Sequence, residues 1–554
     1  MEGSGGATQG HKWWTLAAMC FGLFIALIDV TIVNVALPTI QRDLHAGLSD
    51  LQWVSNAYTL AMAVCIVTAG RLGDIFGRKR MFILGISIFV VGSLCCGLSG
   101  SISIGGLSHA TILHIARAFQ GLGGAFIFPL SLAIISVTFQ GKERGAAIGI
   151  WGGLGGLATA IGPLVGGVLV DRVNWQWIFF INIPIGIIGI VVCQWAVRES
   201  WDEKATRRID MVGLVTISVS IFCLVLALIQ GNDPDKGWTS AYILTLFIIS
   251  AVTLVTFVLA ELHLSRPMVD PRLFKNSSFT GAAITGFTLS AGMFSLFFFL
   301  ALYLQDQLHF SALDTGLRFL PLSFGNFIIS PIAGRFTDRI GARWILTAGL
   351  GLLTISVLLM ARITPADGPN DWTVLLPGFI LGGLGLGIAL PPLATVAVST
   401  VGRDRAGMAS GTNTMCRQIG NAFGIAFLGA ILTHQVDQYL PSNIRHSIFP
   451  RNLAHLKNEI AAYMGGTNNG TFGPPDAPPG VAHNPTITAI VAQAAKAASV
   501  QGLIDILHVA AVILALGTIG AAMLIRPEDM HHNQSAPRLA DLEIKAPVAE
   551  PAAV

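Results

Sequence analysis

Apolar runs of about 20 residues, the length that crosses a bilayer, follow one another through nearly the whole sequence. Short islands between them hold most of the charge. Such a chain has few options, because in hydrocarbon every backbone amide and carbonyl must be bonded within its own segment, so the runs must be helices. Composition bears on this at one point: 53% of residues are hydrophobic and 11% charged, against about 25% charged in soluble domains. The fold class expected is an all-α polytopic membrane protein. The seven cysteines (20, 65, 95, 96, 193, 223 and 416) all fall inside predicted spans without a CxxC spacing, which supports neither a zinc site nor a disulfide framework. The first run, from Trp13, is long enough to span and lacks a small-residue cleavage site, so it reads as a helix and not as a removable signal.

One charged island occurs twice. Gly70-Arg-Leu-Gly-Asp-Ile-Phe-Gly-Arg-Lys-Arg80 joins the runs 51–70 and 81–100, and Gly334-Arg-Phe-Thr-Asp-Arg-Ile-Gly-Ala-Arg343 repeats it 264 residues later. Its glycines permit a sharp reversal, Asp74 can hold Arg78 or a helix N-terminus, and Arg78, Lys79 and Arg80 assign the loop to the cytoplasmic side. A repeat at this distance means two related halves. The pattern resembles the major facilitator superfamily, whose signature between the second and third helices runs G-x-L-x-D-x-x-G-R-K/R. The first copy matches throughout; the second keeps Gly334, Asp338, Gly341 and Arg343 but has Phe336 where the signature has Leu. The resemblance implies two six-helix bundles with substrate bound between them. It also implies a gating role for Gly70, Asp74, Gly77, Arg78, Asp338 and Arg343, latching the halves in one state.

The first span carries Asp29, beyond mid-bilayer toward the outer half, with Asn34 a little further along. An ionisable group there costs about 2.5–3.5 kcal/mol on insertion scales, so it should face a protein interior or a wet cavity. It reads as a proton-exchanging carboxylate, or more plainly as one satisfied by hydroxyls such as Thr31. In the fourth span, Arg117 and Gln120 share a helix face at i and i+3, matching the R-x-x-Q-G pattern of the same family. The resemblance gives Arg117 a part in proton handling; a structural arginine bonded to carbonyls is the alternative. The glycines at 121–124 and 382–387 follow no strand and open no βαβ unit, so they are not nucleotide loops.

The fifth span, which also bears Trp151, has small residues at Gly155, Ala158, Gly162 and Gly166, a face for close packing, and Pro163 should kink it. Gly162-Pro163-Leu-Val-Gly166-Gly167 is similar to the G-P-x-x-G-G antiporter signature of exporters in this superfamily, which implies outward transport. Asn182 and Pro184 open the sixth span, shaping either the cavity or only the helix. Two further apolar segments, 211–230 and 241–262, separate the halves. The repeat distance fits eight helices at roughly 33 residues each, so about 14 spans are expected, as in the 14-helix drug:proton antiporter family. Domain expectations are a cytoplasmic arm at 1–12, a first bundle at 13–200, a linker with two extra spans at 201–275 and a second bundle at 276–526. The second bundle includes a long extracytoplasmic loop at 435–498, and a disordered cytoplasmic tail occupies 527–554.

In the second half, Phe294 and Phe298 share a helix face and line a drug cavity or pack toward lipid, while Arg417 and Asn421, at i and i+4, serve the cavity or gate or hold an interface. Asp306 and Asp314 lie near an outer turn, and no acidic residue is read deep in the later spans. The candidate cavity set is Asp29, Asn34, Gln120, Trp151, Asn182, Phe294, Phe298, Arg417 and Asn421. With the N-terminus cytoplasmic, about 22 of the 33 lysines and arginines fall inside, as the positive-inside rule asks. The resemblance thus implies a monomeric, proton-coupled exporter of lipophilic, cationic or amphipathic drugs in a bacterial inner membrane. Its partners would be small molecules, protons and lipid, and it would need no cofactor besides the coupling ion. Lipid or amphiphilic-metabolite export is the second reading and a non-transporting sensor the third. Nothing suggests nucleic-acid binding, and with no nucleophile–base pair or metal cluster an enzyme is not expected.

Overall fold

The computed structural model describes residues 5–102, 105–139, 141–201, 210–231, 236–264, 267, 269–400, 406–448, 485–526 and 528–531. These are almost wholly helical, with no strand among them. In the first half lie α1 (Gly5–Leu44), α2 (Leu48–Phe76), α3 (Arg78–Leu98), α4 (His109–Thr138), α5 (Gly141–Arg172), α6 (Trp177–Phe180) and α7 (Asn182–Ala196). The extra pair is α8 (Met211–Gln230) and α9 (Ala241–His263). The second half runs α10 (Ser277–Leu289), α11 (Ser295–Leu302), α12 (Ala312–Ile340), α13 (Ala342–Met360), α14 (Leu376–Ser399), α15 (Ala406–Ile448) and α16 (Pro485–Leu524), ending in α17 (Glu528–His531). A single π turn at Ser290–Phe294 joins α10 to α11 and a second at Tyr303–Gln307 extends α11, making one span.

Among the described residues, 13 helices are long and apolar enough to cross a membrane. About 14 were expected; the span around 316–335 falls on α12, which is as long as the others at 29 residues but is interrupted by Pro321 and Pro331 and also carries Arg318 and Arg335. Helix starts are set locally. Ser108, Ser240, Asn276 and Ser311 each accept a hydrogen bond from the amide three residues on, which satisfies one orphan donor of the first turn.

The internal repeat is physical as well as textual. Gly77 (φ 106°) and Gly341 (φ 94°) make the reversals between α2 and α3 and between α12 and α13, a backbone region that disfavours any side chain. A Cβ placed on Gly123 of α4 would stand 2.7 Å from the Gly85 carbonyl of α3, and one on Gly385 of α14 would stand 3.0 Å from the Gly349 carbonyl of α13. The glycine runs of α4 and α14 therefore let neighbouring backbones touch.

Four expectations need correction. Residues 5–12, read as a disordered arm, continue α1. The loop expected at 435–498 is helical at both ends, since α15 runs on to Ile448 and α16 starts at Pro485; its expected surface helix and proline-rich breaker lie outside the described residues. The extension has partners: Gln435 and Tyr439 donate to the Asp505 carboxylate at 2.8 and 3.0 Å. Asp505 is the acidic residue missed in the later spans. In the tail, residues 528–531 are helical and Asp529 accepts from Ser278 at 2.6 Å; 532–554 lie outside the described residues.

Candidate functional site

Five helices of the first half converge on one buried carboxylate. Asp29 of α1 is 0% exposed and Arg117 of α4 2%, with Arg117 Nη1 2.6 Å from Asp29 Oδ2. The other oxygen, Oδ1, accepts from Gln120 Nε2 at 2.8 Å and Asn182 Nδ2 at 3.1 Å. Arg117 also donates from Nε to the Val54 carbonyl of α2 at 3.0 Å and from Nη1 to Gln120 Oε1 at 2.6 Å. Ser93 Oγ of α3 accepts from the same Gln120 and Asn182 amides. The rings of Tyr58 and Phe179 lie 4.5 and 5.7 Å from the guanidinium carbon. A buried ion pair needs this degree of hydrogen bonding to offset the desolvation of two charges.

The network owes its place to local sequence. Gly121 presents its backbone to the Tyr58 carbonyl with no space for a Cβ, and Gly92 meets the backbone of Gln120, so α4 slides in against α2 and α3. Thr31, expected to satisfy Asp29, bonds instead to the Leu27 and Ile28 carbonyls. In the second half, the register that matches Gly123 to Gly385 and Pro129 to Pro391 puts Phe379 and Gly382 of α14 where α4 has Arg117 and Gln120, so the charged network belongs to one half.

A narrow cavity of about 30 Å3 opens between the halves beside this network. Arg117, Tyr58, Ser55 and Asn34 contribute from one side, and Phe294, Phe297, Asn421 and Ile425 from the other. That is space for about two water molecules at about 10–15 Å3 each, so the halves are nearly closed on each other here. Of the expected cavity residues, Phe298 is instead sealed in the core against Phe299 at 4.9 Å between ring centroids. Trp151 donates to Ser131 at 3.2 Å and packs into the first half. Arg417 reaches Phe294, its guanidinium carbon 5.9 Å from the ring centroid.

The antiporter-like segment lies where three helices cross. Gly162 abuts Thr31 of α1, Gly166 abuts Ile32, and Gly167 lies against the α12 backbone at Ala312 and Leu313. In return, Gly316 of α12 meets the Pro163 carbonyl. One turn on, Asp171 accepts from the Ala312 and Leu313 amides at 3.2 and 2.8 Å, a carboxylate placed on a helix N-terminus. Gln305 donates to the Val35 carbonyl at 2.7 Å and Gln52 to that of Ile425 at 3.2 Å. These bonds join the two halves at the end of the bundle away from the Gly77 turn.

At the Gly77 end, Asp74 and Arg78 pair with each other at 2.8 Å. The Glu199 carboxylate accepts from the Lys79 and Arg80 amides at 2.9 and 3.2 Å, tying the loop to the end of α7 in its own half. The expected latch between halves through Asp74 and Arg78 is therefore not the arrangement seen. A Cβ placed on Gly70 would stand 3.6 Å from Pro129, and one on Gly334 3.8 Å from Pro391. The Arg343 guanidinium lies over Trp344, while the side chain of Asp338 is outside the described set. Glu199, Asp171, Ser93 and Tyr58 escaped sequence reading. The first two look like ordinary charges at helix ends, and the others are single polar groups in apolar helices with no spacing signal.

A family model described as the Major Facilitator Superfamily matches residues 19–425. The chain is 37% identical over 447 residues to the multidrug resistance protein Stp of Mycobacterium tuberculosis, covering 80% of each chain. It is 34% identical over 443 residues to the tetracenomycin C resistance and export protein of Streptomyces glaucescens, again 80% of each. Among solved structures, an inward-facing, occupied bacterial homologue of the human lysosomal transporter Spinster matches with a TM-score of 0.58 at 17% identity. That match spans 94% of this chain and 98% of the other, a likeness of fold.

Proposed function

The chain belongs to the Major Facilitator Superfamily, and from that premise we propose that it exports lipophilic, amphipathic drugs across the plasma membrane in exchange for protons. It is an integral membrane transporter and not an enzyme; the relatives named for drug resistance support export as its task. In this reading the Gly77 end is cytoplasmic, as the lysine and arginine distribution asks. The bonds from Asp171, Gln305 and Gln52 then close the outward side. Alternating access follows by rocking one bundle on the other.

The observation that carries proton coupling is the Asp29–Arg117 pair, buried at the edge of the space between the halves. A proton arriving at Asp29 takes Oδ2, where Arg117 now donates, because Oδ1 already accepts two amides. Neutralising the carboxylate leaves the guanidinium without its counter-charge at the cavity wall, and an unpaired charge in a low-dielectric interior is costly. Arg117 must then find another partner or more water, which gives protonation a means to shift the packing of α1 against α4. Proton entry can supply the work, at about 2.3 kcal/mol per 100 mV for each charge moved.

The test is made in liposomes holding a pH-sensitive dye. Adding the neutral aromatic phenylnaphthylamine or the cation ethidium across a proton gradient should release protons with wild-type protein and not with Asp29→Asn. Drug movement in wild type without any proton signal would end the antiport reading. Transport of a fluorescent lipid alone would replace drugs with lipids as the cargo.

A further inference from the structure

Resting on the export reading, we infer that Arg417 forms a subsite for an anionic group borne on an aromatic substrate body, used by those substrates that carry one. The inference comes from an asymmetry between two arginines in the membrane interior. Arg117 is fully provided for: a carboxylate, a backbone carbonyl, a side-chain amide oxygen and two rings surround it. Arg417, nine residues into the span that starts at Met408, has no hydrogen bond and no ion-pair partner among the described residues. Its one favourable contact is the face of Phe294. Ionisable groups inside a membrane helix are expensive and mark binding or conduction sites by default.

The surroundings of Arg417 extend the point. Asn413 and Asn421 flank it at i−4 and i+4 on one face of α15, and the side-chain oxygen of each is buried without a hydrogen-bond partner. Asn421 lines the cavity between the halves together with Phe294. An aromatic wall continues along α15 and its neighbour, with Phe287 against Phe423 at 5.5 Å and Phe423 stacked on Phe427 at 5.2 Å. A bare guanidinium beside the Phe294 ring suits a carboxylate, sulfonate or acidic phenol joined to a ring system, and the two orphan amide oxygens, which only accept, suit a hydroxyl or N–H elsewhere on the same molecule. Asp29 offers no comparable free charge, because both of its oxygens are already occupied by protein donors. Among the described residues of this wall, Arg417 is thus a full charge without a counter-charge.

The experiment uses full-length protein in liposomes and two fluorescent probes that share one aromatic body. Anilinonaphthalene sulfonate is anionic and phenylnaphthylamine neutral; ethidium is the cationic control. Arg417→Gln should lower the transport rate of the sulfonate at limiting concentration about tenfold, the scale of one charge-assisted hydrogen bond. It should leave the neutral probe and ethidium within a factor of about two, and Arg417→Lys should recover part of the sulfonate transport. Sulfonate transport unchanged in Arg417→Gln would overturn the inference. So would an equal loss of all three probes, which would make Arg417 a structural residue while the export reading stood on the wild type. Wild-type protein that moves none of the probes would remove the export reading, and this inference with it.

Discussion

Asp29 and Arg117 show how much a single residue's meaning depends on its partners. In sequence each is one charge in an apolar run, open to a functional or a structural account. In the structure each is the other's counter-charge, 2.6 Å apart. Removing one member of such a pair leaves an uncompensated buried charge, which costs about 3–5 kcal/mol. Arg117→Ala should therefore unfold at markedly lower temperature in detergent than wild type. Adding Asp29→Asn should restore part of that loss, because no orphan carboxylate then remains. A double variant no more stable than Arg117→Ala alone would mean that the pair contributes through shape and not through charge.

At the scale of the helix, α5 joins the packing of the first half to that of the second. Its glycines are not interchangeable. Gly162 and Gly167 lie directly against Thr31 and the α12 backbone, whereas a Cβ on Gly152 meets nothing within 4 Å. Gly167→Val should abolish drug efflux in cells while the protein still reaches the membrane, and Gly152→Ala should be silent. The contrast is read by comparing drug tolerance with the amount of folded protein in solubilised membranes. Equal loss in both variants would overturn this contact account, since helix propensity favours both changes and cannot produce it. The extra pair α8 and α9 has a place too. Helix α8 packs on both α2 and α15, with Phe222 against Trp53 at 5.7 Å, so the insertion sits along the seam where the halves meet.

For the whole molecule, most of the bonds that join the halves among the described residues lie at one end, with Gln418 to Met62 at 3.7 Å nearer mid-span, and the cavity beside Arg117 is too small for a drug. A transporter cannot work from this arrangement alone; those bonds must break in each cycle. Cysteines introduced for Asp171 and Ala312, with the native cysteines replaced, should form a cross-link on oxidation that stops transport until a reductant is added. Continued transport by the cross-linked protein would mean that the α5–α12 contact does not open during turnover, and alternating access would need a different hinge.

The sequence by itself determined the fold class, the two halves and the family, because each rests on something linear: apolar runs as long as a bilayer is thick, a glycine-rich loop repeated at a fixed distance, and motifs written in consecutive residues. It also singled out Asp29, Arg117, Gln120 and Asn182, since polar groups in hydrocarbon stand out wherever they occur. What it left open was which of them meet, and that depended on helix rotation and depth, set by where glycines let backbones touch. Phe298 and Trp151 turned out to serve the core because rotation about a helix axis is invisible in a uniformly apolar segment. Glu199 and Asp171 were hidden because a charge at a helix end looks like solvent-facing surface until its partner, 119 or 142 residues away, comes beside it. Tertiary structure alone decided that Arg117 is matched and Arg417 is not, for pairing is a distance between helices and no spacing along the chain records it.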